Sequence, residues 1–124
     1  MLTTVAFGIA IVISLAIGAI GVRFLVAPRV AAAGYGVAAR QAGDPAYFSV
    51  KGVRDTCIGI LGLVLVLTGQ THALGLFMLV FTLIPVADAV IVLRNGGTRA
   101  TAFGIHVSTA VLVLADAVLL LIAA

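Results

Sequence analysis

Four long apolar stretches alternate with short polar segments along the chain. They cover about residues 4–27, 45–68, 71–93 and 98–123. A transmembrane helix needs about 20 mostly apolar residues, so each stretch predicts one membrane-spanning helix. Together they predict an all-α integral membrane four-helix bundle that forms a single domain over residues 1–124.

Residues that favour helix ends stand at the limits of these stretches. Asp44 precedes a proline, the pattern of an N-cap followed by proline at the first helical position. Gly69 is expected to end the second helix, while Thr71 and Thr98 are expected to cap the third and fourth. The connection over residues 28–44 is longer and predicts an interfacial loop or a short surface helix.

The composition supports a membrane location. Of the 124 residues, 64% are hydrophobic and 9% are charged, and the mean hydropathy is +1.36. Soluble domains are about 45–50% apolar and about 25% charged, so a soluble globular domain is excluded, as is a disordered chain. The single cysteine, Cys57, excludes an internal disulfide and a cysteine zinc site. No cofactor or metal is predicted.

The positive charges predict the orientation in the membrane. All seven Lys and Arg residues lie in or beside the first and third connections, and such residues concentrate on the cytoplasmic side. Both termini are therefore expected on the non-cytoplasmic side of a cell membrane, such as the bacterial inner membrane. The charges form no basic face beside aromatic residues, so no nucleic-acid partner is predicted.

Ionisable residues inside the apolar stretches are the candidates for chemistry. Each costs about 2.5–3.5 kcal/mol to insert, and such residues usually face the bundle interior or a cavity. At about 1.5 Å per residue, one layer in the cytoplasmic half contains five of them, from four helices. Four of the five are the predicted catalytic residues: Arg54, Asp55, Asp88 and His106. Two acids in different environments can divide the roles of proton donor and counter-charge. An Arg54–Asp88 ion pair with a purely structural role explains the same pattern.

Four further residues are assigned to substrate contacts: Arg23, Phe77, Phe81 and Phe103. Phenyl rings present π-faces that stabilise a developing cation. Arg23 lies about one turn from the end of its span, a position from which the guanidinium also reaches lipid head groups. Pro85 supports a site near Asp88, because proline frees a backbone carbonyl that needs a partner in lipid.

Several segments resemble a known family. They are RFLVAPRVAAAGYGV, KGVRD and IPVADAVIVLRNGG, followed by a histidine early in the last helix. Over nearly the whole chain they resemble a domain-of-unknown-function family of small bacterial and fungal four-helix membrane proteins, and this resemblance implies a four-helix fold. The overall plan is similar to DoxX-like membrane proteins. A looser likeness is to small integral membrane terpenoid cyclases, which protonate an epoxide or alkene with an acidic residue.

Three functions fit these features. The first is an enzyme that acts on a lipophilic, terpenoid-like or lipid-like molecule by cofactor-independent acid–base catalysis, such as proton-initiated cyclisation or isomerisation. The second is a proton-coupled transporter or channel, in which the same acids relay protons. The third is a structural or assembly protein whose polar layer joins its helices. Membrane lipid is an expected partner, and glycine seams predict a homo-oligomer.

Overall fold

The structure is a computed structural model that describes residues 1–37 and 45–124. These residues form seven α-helices: α1 (Leu2–Val26), α2 (Pro28–Tyr35), α3 (Pro45–Leu67), α4 (Thr71–Phe81), α5 (Leu83–Arg94), α6 (Arg99–Thr101) and α7 (Ser108–Ala123). A π-helical segment, Ala102–Val107, joins α6 to α7. The predicted all-α fold is confirmed for this part of the chain. Asp44, predicted to cap the second span, lies outside the described residues.

Three helical stretches are long and apolar enough to cross a membrane: Leu2–Val26, Thr71–Arg94 and Arg99–Ala123. The chain is therefore a membrane protein. Helix α3 has 23 residues, which is also long enough to span. It differs from the other three because Lys51, Arg54 and Asp55 all lie in its first half.

The third predicted span is one stretch in the sequence but two helices in the structure. Helix α4 ends at Phe81 and α5 begins at Leu83, with a turn at Thr82. Pro85 has no N–H, so the carbonyl of Phe81 loses its helical partner. At the turn itself, the Thr82 hydroxyl donates a hydrogen bond to the carbonyl of Met78, at 3.0 Å. The structure therefore divides the third predicted span at Thr82, three residues before Pro85.

Helix ends agree with two of the predicted signals. Gly69 has a φ of +66° after the end of α3, and the Thr98 hydroxyl accepts from the Thr101 backbone N–H at 3.1 Å. The Thr71 prediction was wrong, because Thr71 is the first residue of α4 and its N-cap is Gln70, with no side-chain cap hydrogen bond. The predicted short helix in the first connection is confirmed as α2.

Helix α1 packs along α3 through small residues. A methyl group added at Gly59 would lie 2.6 Å from the carbonyl oxygen of Ser14, and one at Gly21 would lie 2.4 Å from the Thr56 backbone nitrogen. The two backbones are therefore in direct contact, as small residues allow in membranes. This glycine seam is occupied within one chain. By contrast, a methyl group at Gly104 would have nothing within 4 Å.

Helix α7 packs mainly against α4 and also against α1. The core between these helices contains seven side chains that are almost fully buried: Ala6, Ala10, Leu74, Met78, Val113, Ala117 and Leu120. This packing fixes the position of α7. It thereby places the preceding π-helical segment beside α5, with which it is in contact.

Helix α2 ends against the last helical stretch. Gly36 follows it with a φ of +101°, a conformation that favours glycine. A methyl group at Gly36 would lie 2.6 Å from Cγ2 of Thr101. The close approach brings Tyr35, the last residue of α2, into the bundle.

Candidate functional site

A tyrosine at the end of α2 reaches across to α5. The Tyr35 hydroxyl donates a hydrogen bond to Oδ2 of Asp88, 53 residues further along the chain. Burial raises the pKa of Tyr35 far above its ordinary value, and the negative charge of Asp88 raises it further. The phenol therefore stays protonated and acts as a donor.

His106 holds the same tyrosine through its backbone. Nε2 of His106 lies 2.8 Å from the carbonyl oxygen of Tyr35. Because a carbonyl oxygen only accepts hydrogen bonds, the imidazole N–H donates at Nε2. The two rings also meet edge to face, with their centroids 4.4 Å apart. His106 is buried and belongs to the π-helical segment, a distortion that is frequent at functional sites.

Helix α3 contributes an ion pair to this group. Nζ of Lys51 lies 2.8 Å from Oδ2 of Asp55, whose side chain is almost completely buried. The same ammonium lies 4.3 Å from the ring centroid of Tyr35 and 5.1 Å from that of Phe24. Both distances allow a cation–π interaction. Lys51 and Asp55 are four residues apart on one helix, and their pair lies against the two aromatic rings.

These five residues form what we call the Tyr35 cluster: Tyr35, Lys51, Asp55, Asp88 and His106. A cavity of about 230 Å³ lies beside it. Lys51 and Asp88 supply its charged groups, and the rings of Phe24, Tyr35 and Phe48 form much of its wall. An apolar pocket with a few convergent polar groups is the usual form of a small-molecule site.

The structure brings together three of the four predicted catalytic residues, namely Asp55, Asp88 and His106. Arg54 is exposed and makes no ion pair with any described residue, so the predicted Arg54–Asp88 pair was wrong. Adjacent helical residues point about 100° apart. Since Asp55 faces the Tyr35 cluster, the side chain of Arg54 points about 100° to one side of it and is exposed.

The predicted substrate-contact residues lie around the cluster but not in it. Arg23 is exposed and lines a small cavity with Gly34 and Tyr35, on the other side of α2. Phe77 and Phe81 stack on each other, with their centroids 6.0 Å apart, and face a cleft beside α3.

Phe103 is 57% exposed and lines an apolar groove of about 420 Å³ between α5 and the last helical stretch. The aromatic rings nearest to the polar groups are instead Phe24 and Phe48. Helical spacing explains the difference, because Phe81 precedes Asp88 by seven residues, or about 10 Å along a helix. The three predicted phenylalanines therefore line other surfaces than the cavity beside Tyr35.

The residues predicted from the sequence included neither Tyr35 nor Lys51, so the central position of both was missed. The signal that pointed to Tyr35 was the glycine after it. Gly36 allows the left-handed turn that brings the end of α2 back against the bundle. For Lys51 the sequence carried no signal beyond its spacing from Asp55.

Two of the buried polar side chains outside the Tyr35 cluster have no hydrogen-bond partner among the described residues. Asp116 on α7 is fully buried and Ser14 on α1 is 2% exposed. Neither the carboxyl oxygens of Asp116 nor the hydroxyl of Ser14 has a hydrogen-bond partner among the described residues. In the same part of the chain, no three His, Cys, Asp or Glu side chains are grouped closely enough to hold a metal ion.

The fold and the cluster define a helical membrane protein with a buried polar centre. The chain belongs to the family described as Domain of unknown function (DUF4267), whose model matches residues 14–120. The matched range includes the whole Tyr35 cluster. No curated protein and no solved structure matches the chain.

Proposed function

We propose that the protein is an integral membrane enzyme that acts on a lipophilic small molecule by acid–base catalysis, without a cofactor. The observation that carries this proposal is the hydrogen bond from Tyr35 to Asp88 beside an apolar cavity. A carboxylate and a phenol that meet at such a cavity are suited to move a proton to and from a bound molecule.

The groups of the cluster have separable roles. One carboxyl oxygen of Asp88 accepts from Tyr35, which leaves the other to exchange a proton with the substrate. The Lys51 ammonium lines the same cavity and is placed to stabilise an oxyanion. Phe24 and Phe48 supply π-faces for a developing cation. His106 is a positioning residue, because its hydrogen bond holds the Tyr35 backbone.

Isomerisation fits this arrangement best. A proton is removed from one carbon of the substrate and returned to another, so the reaction consumes no co-reactant. A proton-initiated cyclisation uses the same carboxyl in the opposite order. The cavity volume of about 230 Å³ lies below the usual range of about 300–1,000 Å³. It therefore fits the reacting part of a lipophilic molecule whose remainder lies in the bilayer.

The proposal includes a topology of four spans, with α3 as the charged one and both termini on the non-cytoplasmic side. The distribution of Lys and Arg supports this orientation. In a Cys57→Ser background, single cysteines at Thr3 and His72 are expected to react with a membrane-impermeant thiol reagent in intact cells. A cysteine at Asn95 is expected to react only after permeabilisation. The opposite labelling pattern would show that both termini lie on the cytoplasmic side.

The catalytic proposal is tested by isotope exchange. The purified protein in nanodiscs is incubated in D₂O with a lipid extract of its host cells, and the extract is analysed by mass spectrometry. A proton transferred at carbon leaves deuterium in the product. The wild-type protein is expected to label at least one lipophilic species. Asp88→Asn is expected to abolish the labelling, and Tyr35→Phe to slow it by about 10²-fold.

The matched control is Tyr47→Phe, which removes the hydroxyl of the other tyrosine, 77% exposed as a residue. It is expected to label at the wild-type rate. Labelling by Asp88→Asn at the wild-type rate would overturn the proposal, as would an extract in which the wild-type protein labels nothing.

Asp116 is the observation that favours a second candidate, proton-coupled transport. An ionisable side chain without a partner inside a membrane often marks a proton pathway, and Asp116 is fully buried. Reconstituted liposomes with a pH gradient provide the test. Transport predicts a proton flux that Asp116→Asn removes, whereas the enzyme proposal predicts no flux and deuterium labelling that survives in Asp116→Asn.

A further inference from the structure

A second cleft opens along α3, beside the Lys51–Asp55 pair of the Tyr35 cluster. One part, of about 520 Å³, is lined by Lys51, Arg54 and Asp55 together with Ile58 and Ile84. A second part, of about 320 Å³, shares Ile58 and Ile84 and continues to the stacked rings of Phe77 and Phe81. The two parts form one cleft that is charged at one end and apolar at the other.

The helix connections explain why this cleft exists. Helices α3 and α4 are joined by a tight turn at Gly69, and they meet again where Gly62 approaches the ring of Phe77. After the break at Thr82, α5 packs on the π-helical segment and has little contact with α3. The space between α3 and α5 therefore widens toward the charged end.

One cation at that end has no partner among residues 1–37 and 45–124. Lys51 is paired with Asp55 and lies over two aromatic rings. Arg54 is exposed and makes no ion pair or hydrogen bond with a described residue. The charged end therefore has one positive charge that is not compensated, on a side chain that binds phosphate in a bidentate manner.

We propose that this cleft binds an anionic phospholipid, with the phosphate at Arg54 and one acyl chain along Ile58 and Ile84 toward Phe77. The helical rise from Arg54 to Gly62, the residue beside Phe77, is about 12 Å, so the apolar part holds a substantial length of acyl chain. This proposal does not depend on the proposed enzymatic function, because Arg54, Ile58 and Ile84 line the cleft but not the cavity at Tyr35.

Native mass spectrometry of the detergent-solubilised protein tests the charged end. The protein is titrated with dioleoyl phosphatidylglycerol and, separately, with dioleoyl phosphatidylcholine. The wild-type protein is expected to retain the first lipid more tightly. Arg54→Gln is expected to weaken its binding by about tenfold, while Arg54→Lys keeps most of it. Arg94→Gln, which removes an exposed arginine at the end of α5, is expected to bind like the wild type.

The apolar end is tested by filling it. Ile84→Trp is expected to weaken the binding of phosphatidylglycerol, whereas Ile122→Trp, at an exposed position on α7, is expected to leave it unchanged. Circular dichroism checks that each variant is folded.

Two results would overturn the proposal: equal binding of the two phospholipids, or equal losses in Arg54→Gln and Arg94→Gln. The deuterium-labelling assay reads the Tyr35 cluster alone. Loss of lipid binding in Arg54→Gln, with deuterium labelling by the same variant at the wild-type rate, would therefore separate the two proposals.

Discussion

The hydroxyl of Tyr35 and the carboxylate of Asp88 join a short helix to the second half of a broken span through a single hydrogen bond. Tyr35 also contacts His106 and Lys51, so four segments of the chain meet at one side chain. A charge-assisted hydrogen bond in this setting contributes both to stability and to the position of Asp88.

Removal of the hydroxyl is expected to destabilise the fold. Tyr35→Phe leaves an oxygen of Asp88 without its donor, which costs about 1–3 kcal/mol. Thermal unfolding in detergent, followed by circular dichroism, measures the change. Tyr47→Phe is the control and is expected to unfold like the wild type, since Tyr47 is exposed. Equal unfolding temperatures for both variants would show that the hydrogen bond contributes nothing.

The ionisation of Tyr35 gives a second prediction. Burial and Asp88 raise its pKa in the folded state, whereas an unfolded tyrosine ionises near pH 10. The unfolded state loses the proton first. The free energy of unfolding is therefore at its full value below about pH 10 and declines as the pH rises above that value. In Tyr47→Phe, whose only tyrosine is Tyr35, phenolate absorbance is expected to appear only when the protein unfolds.

A titration of the same variant in denaturant is the reference, because there the phenol is exposed to water. A phenolate signal near pH 10 from the folded variant would contradict the buried position of Tyr35.

His106 is expected to hold α2 against the bundle. His106→Leu removes the donor to the Tyr35 carbonyl, and the loss of such a bond corresponds to about tenfold faster local opening. Hydrogen–deuterium exchange at the amides of Pro28–Tyr35 measures this effect. His72→Leu, which changes an exposed histidine in α4, is the control. Unchanged exchange in α2 of His106→Leu would show that other contacts hold the helix.

The contact between α1 and α3 predicts opposite effects for two equal substitutions. Gly59→Ala introduces a methyl group 2.6 Å from a backbone oxygen, and the resulting displacement is expected to cost about 1–3 kcal/mol. Gly8→Ala meets nothing within 4 Å and is expected to stabilise the helix by about 0.5–1 kcal/mol. Thermal unfolding of the two variants under the same conditions checks the difference in sign.

The carboxyl of Asp116 has no hydrogen-bond partner in the described part of the chain, which predicts a gain in stability from its removal. A buried polar group without a hydrogen bond costs about 1–3 kcal/mol, so Asp116→Leu is expected to raise the unfolding temperature. A lower unfolding temperature would show that Asp116 has a stabilising partner, such as a bound water or ion.

The sequence alone was sufficient to predict the class of protein and most helix limits. A long apolar run of this kind forms a helix in a membrane, because every backbone polar group must be hydrogen-bonded within the helix. The same logic identified Asp55, Asp88 and His106, since an ionisable residue in such a run needs a partner. These inferences depend on local composition and on the fixed helical rise, which are properties of the sequence.

The tertiary structure decided which partners those residues have. Arg54 and Asp55 are neighbours in the sequence, and only the packing of α3 against α1 determines which of them is buried. The place of Tyr35 depends on the turn at Gly36 and on the close approach of its backbone to Thr101. Contacts between residues far apart in the chain depend on how the helices rotate and cross, and a helical repeat specifies neither quantity.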